Sequence, residues 1–149
     1  MRLARGFTTA LLLIGAVAMA SCTSSSTGSN VVNMAATMNA ASEVPPNAST
    51  GTGNAVVKLD KATKTLSWTV TYSGLTGDAT AAHFHGPATP GANAPVVVPI
   101  GMGSVPNPAT GSKVLTDDQI ADLLAGKWYV NVHTKANPGG EIRGQVVPK

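Results

Sequence analysis

Apolar and polar residues alternate along positions 65–72 and again along positions 54–60. Since successive side chains of a β-strand point to opposite faces, each segment predicts a strand with one buried face. A short connection, residues 61–64, separates the two segments. Together they predict a β-hairpin. In its second strand the positions predicted to be buried are Leu66, Trp68, Val70 and Tyr72.

Turn-forming residues are abundant throughout the chain, which has 16 glycines and 10 prolines but only 11% charged residues. This composition is typical of an all-β domain, and a length of 149 residues suits one such domain. One helix is expected from Thr116, the N-cap, to Gly126, where it ends. Residues 50–53 are predicted to form a turn and residues 101–111 a loop.

Five further strands are predicted, which brings the expected total to seven or so and indicates an antiparallel β-sandwich with one short helix. They are residues 34–41, the segment that ends at His85, and residues 96–100, 127–134 and 141–146.

The first part of the chain, residues 1–21, has the pattern of an export signal. Arg2 and Arg5 precede an apolar run at 11–20 that is short for a membrane span. The run ends in Met-Ala-Ser before Cys22, which resembles a bacterial lipobox, so Cys22 is the predicted lipidation site. The alternative is an ordinary secretory signal that leaves Cys22 as an unpaired thiol.

A lipid on Cys22 would attach the protein to a membrane. Residues 22–32, rich in serine and threonine, would be a flexible tether, and residues 33–149 the folded domain. The predicted location is the bacterial cell envelope. In a Gram-negative cell this is the periplasmic side of the outer membrane, which Thr23 after the cysteine favours.

Charge argues against a nucleic-acid partner. Arg2 and Arg5 account for two of the 10 basic residues, so the exported chain would carry 8 basic and 7 acidic residues. A nearly neutral domain lacks the basic surface that nucleic acid requires.

The chain has three histidines, His83, His85 and His133. On one strand His83 and His85 point to the same face, with Phe84 turned into the core. If His133 meets them, three imidazoles form a site for copper or zinc with one position open. The alternative is a structural cluster in which the histidines hydrogen-bond neighbouring strands.

Four polar residues are candidates to surround these ligands: Glu43, Asn131, Glu141 and Arg143. A glutamate there would accept an imidazole N–H, or would pair with Arg143 instead. Arg143 would either attract an anion towards a bound metal ion or form an ion pair with a carboxylate that closes the sheet. Neither a Ser-His-Asp order nor a glycine-rich phosphate loop is found, so no catalytic residue is predicted.

With these motifs identified, the chain resembles the CHRD domain family over residues 33–147. The matching motifs are residues 42–46, 81–87, 126–134 and 138–145, in that order. The family has no settled biochemical activity, so the resemblance implies a domain type and not a reaction.

A second, local resemblance is to copper/zinc superoxide dismutase, through Gly-Leu-Thr at 74–76 and the nearby His83 and His85. It implies an immunoglobulin-like, superoxide-dismutase-like sandwich with copper ligands on these histidines. Three histidines are too few for that enzyme's copper and zinc sites together, and a cysteine pair is missing. These departures argue against dismutase activity and leave a simple copper or zinc site open.

Three functions follow as hypotheses. The first is a membrane-tethered, non-enzymatic binding module of the envelope, for a protein or a metal ion. The second is a copper or zinc protein that uses His83, His85 and His133 in metal handling or redox protection. The third is a purely structural envelope protein.

Overall fold

The computed structural model describes residues 29–149. The predicted export signal, Cys22 and most of the predicted tether lie outside the described residues. Within them are nine strands, one α-helix and one short 3-10 turn. The strands are β1 Val31–Asn39, β2 Thr52–Asp60, β3 Thr65–Ser73, β4 Ala79–His85, β5 Val96–Met102, β6 Ala109–Val114, β7 Tyr129–Thr134, β8 Ile142–Gln145 and β9 Val147–Pro148; the helix is α1 Asp117–Leu124, and the 3-10 turn is Ala40–Ser42.

All strand pairs are antiparallel and belong to one sheet, in the order β5-β4-β7-β8-β1-β2-β3-β6, with β9 beside β1. The two end strands, β5 and β6, contact each other, so the sheet is nearly closed around its core. The prediction of an all-β, antiparallel fold with one short helix is confirmed.

The predicted hairpin is β2–β3, with Val57 opposite Trp68. Leu66, Trp68 and Val70 are buried, as the alternation requires. Trp68 packs edge-on against Phe84 at 5.4 Å between ring centroids. Phe84 therefore lies in the core, and the side chains on either side of it in β4 point away from the core.

Two predicted connections are wrong. Residues 52 and 53 begin β2 rather than forming a turn. Gly53 is required by packing, because a Cβ there would lie 2.8 Å from the Thr71 backbone carbonyl oxygen. The predicted loop at 101–111 contains the end of β5 and the beginning of β6, residues 109–111. Gly111 lies in β6 opposite Trp68, and a Cβ on it would lie 2.5 Å from the indole ring. This glycine, which was predicted to be in a loop, is therefore a strand residue whose lack of a side chain leaves space for the tryptophan.

The helix prediction is confirmed. Thr116 accepts a hydrogen bond from the Gln119 backbone N–H, and the Gln119 side chain accepts one from the Thr116 backbone N–H. Gly126, with φ of +69°, follows the helix in a conformation that favours glycine. Leu123 is the fully buried side chain of the helix. Within residues 29–149, no helix combines the length and the apolar character needed to span a bilayer.

Candidate metal centre

The three histidines lie on two neighbouring strands. β4 pairs with β7, with Ala81 opposite His133, His83 opposite Asn131 and His85 opposite Tyr129. Directly opposite residues share a face, so His133 lies diagonally across from His83 and on the same face as His85. The structure thus brings together the three residues proposed from the sequence as ligands.

One ring nitrogen from each histidine lies within 4.8 Å of those of the other two. The closest pair is His83 Nδ1 and His133 Nε2, at 3.2 Å. Two imidazole nitrogens bound to one ion through bonds of about 2.0–2.1 Å are separated by a similar distance. His85 would have to approach the other two rings to complete the set, because the ligand atoms of the three histidines are up to 4.8 Å apart.

Backbone carbonyls fix the tautomers of two of the rings. His85 Nδ1 lies 3.0 Å from the Ala94 carbonyl oxygen, and His133 Nδ1 lies 3.0 Å from that of Pro138. A carbonyl oxygen only accepts, so each Nδ1 carries the proton and each Nε2 presents a lone pair. The Nε2 atom of His85 is buried and has no hydrogen-bond partner.

The third ring completes this pattern. His83 Nε2 lies 3.0 Å from the Sδ atom of Met102, while its Nδ1 faces His133. Two lone pairs at 3.2 Å repel, so without an ion His83 Nδ1–H donates to His133 Nε2. A cation at the centre would take the place of the proton on His83 Nδ1. The ring would then carry its proton on Nε2, which faces the methionine sulfur.

The histidines are neutral at pH 7. Burial, reinforced by His133 and His85, lowers the pKa of His83 from 6.5 to about 4. Burial also lowers the pKa of His85 and of His133, and the positive charge of Arg143 adds to the effect on both. Neutral imidazole is the form that binds metal ions, so these rings need not lose a proton to do so.

A stack of three side chains supports His85. Its ring is parallel to that of Tyr129, within 3° and 4.9 Å between centroids. The guanidinium carbon of Arg143 lies 4.0 Å from the centroid of the Tyr129 ring. The Tyr129 hydroxyl accepts from the Ala94 backbone N–H at 3.1 Å, and Ala94 also holds His85.

Arg143 binds the loop before β5. Its Nη1 donates to the Ala92 carbonyl at 3.1 Å, and its Nη2 donates to the Asn93 side-chain oxygen. Asn93 in turn donates to the Val44 carbonyl at 3.1 Å. Arg143 therefore fixes the loop that carries the Ala94 carbonyl, and so acts on His85 indirectly.

Glu43 is the partner of Arg143. Arg143 Nε lies 3.3 Å from Glu43 Oε2, and both side chains are buried. Asn131 Nδ2 donates to the same oxygen at 3.4 Å. Burial raises the pKa of Glu43 to about 7, although Arg143 opposes the shift. Among the described residues, the side chains of Glu43 and Asn131 are hydrogen-bonded to each other and to no imidazole.

Glu141 lies elsewhere, although the alternation would place it on the face of Arg143. It precedes β8, is fully buried, and accepts hydrogen bonds from loop residues and from the end of β7. Burial acts to raise its pKa, but these bonds outweigh it and lower the pKa to about 2. The donors are Ser49 Oγ at 2.6 Å, Thr76 N and Oγ1 at 2.7 Å, Thr134 Oγ1 at 2.5 Å and Asn137 Nδ2 at 3.1 Å.

Glu141→Gln is expected to lower the free energy of unfolding by about 2 kcal/mol at pH 7, because an amide N–H₂ would face hydroxyl and N–H donors. The carboxylate contributes stability above its ordinary pKa of 4.5 and loses it as the pH falls towards 2. The difference from wild type should therefore shrink between pH 7 and pH 3. Urea unfolding at both pH values measures it, with the exposed Asp78→Asn as control. A constant difference would contradict this role.

Sequence reasoning missed several residues of the site. Tyr129 could have been found, because it precedes Asn131 by two positions on one strand. Met102 could not, since it fell in a predicted loop. The carbonyls of Ala94 and Pro138 leave no side-chain signal at all.

The family model described as CHRD domain matches residues 34–146, which is most of the chain. No curated protein matches the chain, and no solved structure matches it.

Proposed function

Because the chain belongs to the CHRD domain family, we propose that it is a non-enzymatic binding module whose ligand is one copper or zinc ion, held by His83, His85 and His133. The observation that carries the proposal is the orientation of the rings. Each histidine has an acceptor for one nitrogen on the outside, and the other nitrogen faces a shared point. An acceptor that binds the outer N–H of a histidine orients the ring so that its other nitrogen can bind a metal ion.

The unpartnered Nε2 atom of His85 supports the proposal further. A buried polar atom without a partner costs about 1–3 kcal/mol. A bound ion would remove that cost.

A binding role fits better than a catalytic one. Among residues 29–149, no hydroxyl or carboxylate is hydrogen-bonded to an imidazole ring; the ring partners are another histidine, Met102 and two carbonyls. A nucleophile activated by histidine requires such a contact. The physiological role proposed is therefore metal handling at the cell envelope.

Titration of the purified protein tests this function. We expect one Zn²⁺ or copper ion per chain, in competition with a chromophoric chelator. The Cys22→Ser protein is the matched control, because Cys22 is the sole thiol in the chain and could bind metal itself. It should bind as the wild type does, whereas His83→Ala/His133→Ala should not bind. Failure to bind stoichiometrically, or binding that survives the double substitution, would leave the structural role as the better account.

The membrane tether is part of the same proposal and has its own test. Cys22→Ser is expected to release the protein from membranes into the soluble fraction, because the lipid would have no attachment point. Fractionation of cells expressing both forms measures this, and Ser21→Ala, which keeps a small residue before the cysteine, is the control. Retention of Cys22→Ser on membranes would contradict lipidation.

A further inference from the structure

We propose that Met102 is a site of reversible oxidation, at which a peroxide converts the thioether to a sulfoxide and so strengthens metal binding by His83. The effect on binding rests on the proposed metal site, whereas the oxidation itself does not. Two features of Met102 support this modification: its exposure, and the contact between its sulfur and the outer edge of the His83 ring.

Exposure distinguishes Met102 from the other methionines of the folded domain. Two of the five methionines in the chain belong to the predicted export signal. Met34 and Met38 are fully buried in the core, whereas Met102 is 70% exposed at the end of β5. A sulfur must meet the oxidant in order to react, so within residues 29–149 a dissolved peroxide reaches Met102 and not the two buried methionines.

The sheet places Met102 beside the three histidines but not among the ligands. Ala81 of β4 pairs with Met102 of β5 on one side and with His133 of β7 on the other. The methionine sulfur lies 3.0 Å from His83 Nε2, while Nδ1, on the opposite edge of the ring, faces His133. Met102 is therefore the outer partner of His83, and a chemical change at its sulfur acts on that ring from the solvent side.

The oxidation needs only a hydroperoxide such as H₂O₂. A lone pair of the Met102 sulfur attacks one peroxide oxygen, and the O–O bond breaks as the S–O bond forms. The proton of the attacked oxygen moves to the leaving hydroxide, which departs as water. The sulfur is oxidised by two electrons and the peroxide is reduced. Methionine sulfoxide reductases return the product to the thioether, so the change is reversible.

A sulfoxide changes the acceptor that His83 Nε2 meets. Thioether sulfur is a weak acceptor, whereas the oxygen of the polar S–O bond is a strong one. When His83 Nδ1 holds an ion, the ring carries its proton on Nε2 and donates it to this oxygen. Without an ion the proton lies on Nδ1 and is donated to His133, so the sulfoxide gains no hydrogen bond from the ring. Oxidation thus favours the tautomer that binds the ion.

Peroxide treatment of the purified, ion-free Cys22→Ser protein tests the modification, because this protein has no thiol to compete for the oxidant. Peptide mass spectrometry follows each methionine. We expect Met102 to be oxidised at least about tenfold faster than Met34 and Met38, as their burial requires. Oxidation of the three at similar rates in the folded protein would overturn the proposed site.

Nitrogen-15 NMR of the ion-free protein reads the tautomer of His83. Oxidation should move the proton of this ring from Nδ1 towards Nε2. Met102→Gln, whose side-chain carbonyl takes the place of the sulfoxide, should do the same without peroxide. Met102→Leu is the matched control, and its His83 tautomer should not respond to peroxide. An unchanged tautomer in the oxidised protein would overturn the coupling to His83.

Competition titrations with Zn²⁺ and with Cu²⁺, after removal of the peroxide, measure the effect on binding. We expect the oxidised protein and Met102→Gln to bind about three- to tenfold more tightly than the untreated protein, the effect of one additional hydrogen bond. Unchanged or weaker binding would contradict the proposed effect. If the untreated protein binds neither ion, the proposed function fails, while selective oxidation with a change of tautomer would still support the modification site.

Discussion

Replacing His85 by alanine is expected to lower the affinity for the bound ion by at least about 100-fold, since loss of a residue that merely orients a ligand already costs about 10–100-fold. The expectation rests on the direction of Nε2, which is buried and unpartnered, while Nδ1–H is held by Ala94. Of the three rings, His85 has the clearest free lone pair. Competition titration in the Cys22→Ser background measures the loss.

The controls for His85→Ala concern folding. The ion-free variant should unfold at nearly the wild-type temperature, because the lost stacking on Tyr129 is offset by removal of an unpartnered buried nitrogen. Thr110→Ala, at an exposed position on β6, should change neither affinity nor stability. An affinity within threefold of wild type, in a folded His85→Ala protein, would contradict the three-histidine site.

Arg143→Met is expected to lower the free energy of unfolding by about 4 kcal/mol at pH 8, because removing one partner of a buried ion pair leaves the other charge uncompensated. Arg143 pairs with Glu43, fixes the Ala92–Asn93 loop and lies over Tyr129. The loss should exceed that of Glu141→Gln, which keeps its neighbours in place.

This destabilisation should depend on pH. The pKa of Glu43 is about 7 in the folded wild type against an ordinary value of 4.5. A raised folded-state pKa contributes stability that is fully present below pH 4.5 and is lost as the pH rises through 7. Without the arginine the folded-state pKa rises further, so the variant loses more stability on alkalinisation. Urea unfolding at pH 5 and pH 8 should show the smaller loss at pH 5.

A double variant controls for the loss of packing. Arg143→Met/Glu43→Leu leaves no buried charge without a partner and should recover part of the stability. Equal destabilisation at both pH values, with no recovery in the double variant, would mean that packing rather than charge explains the effect.

The parts of the fold that depend on local pattern could be predicted from the sequence. Alternation around Trp68 gave the hairpin, and the N-cap Thr116 with Gly126 gave the helix. β6 was not predicted as a strand, because it is stabilised by pairing with β3 and by the space that Gly111 leaves for Trp68. Composition alone does not distinguish a glycine that is required by close packing from a glycine that is required by a turn.

The candidate site divides in the same way. The shared direction of His83 and His85 follows from their spacing, but their meeting with His133 depends on the register of strands about 50 residues apart. The two glutamates show that the alternation of side chains along a strand is not sufficient to place a residue. Alternation puts Glu141 on the same face as Arg143, yet Glu141 lies just before β8 and its carboxylate points towards Thr76 and Thr134. Glu43, far away in sequence, is the residue that reaches Arg143.

The central claim is that the three imidazoles bind one ion, and X-ray absorption spectroscopy of the metal-loaded Cys22→Ser protein tests it most directly. We predict three nitrogen scatterers at about 2.0–2.1 Å from the ion, with the multiple scattering that is typical of imidazole rings. A first shell of oxygen with fewer than two imidazoles, or the same spectrum from His83→Ala/His133→Ala, would contradict it.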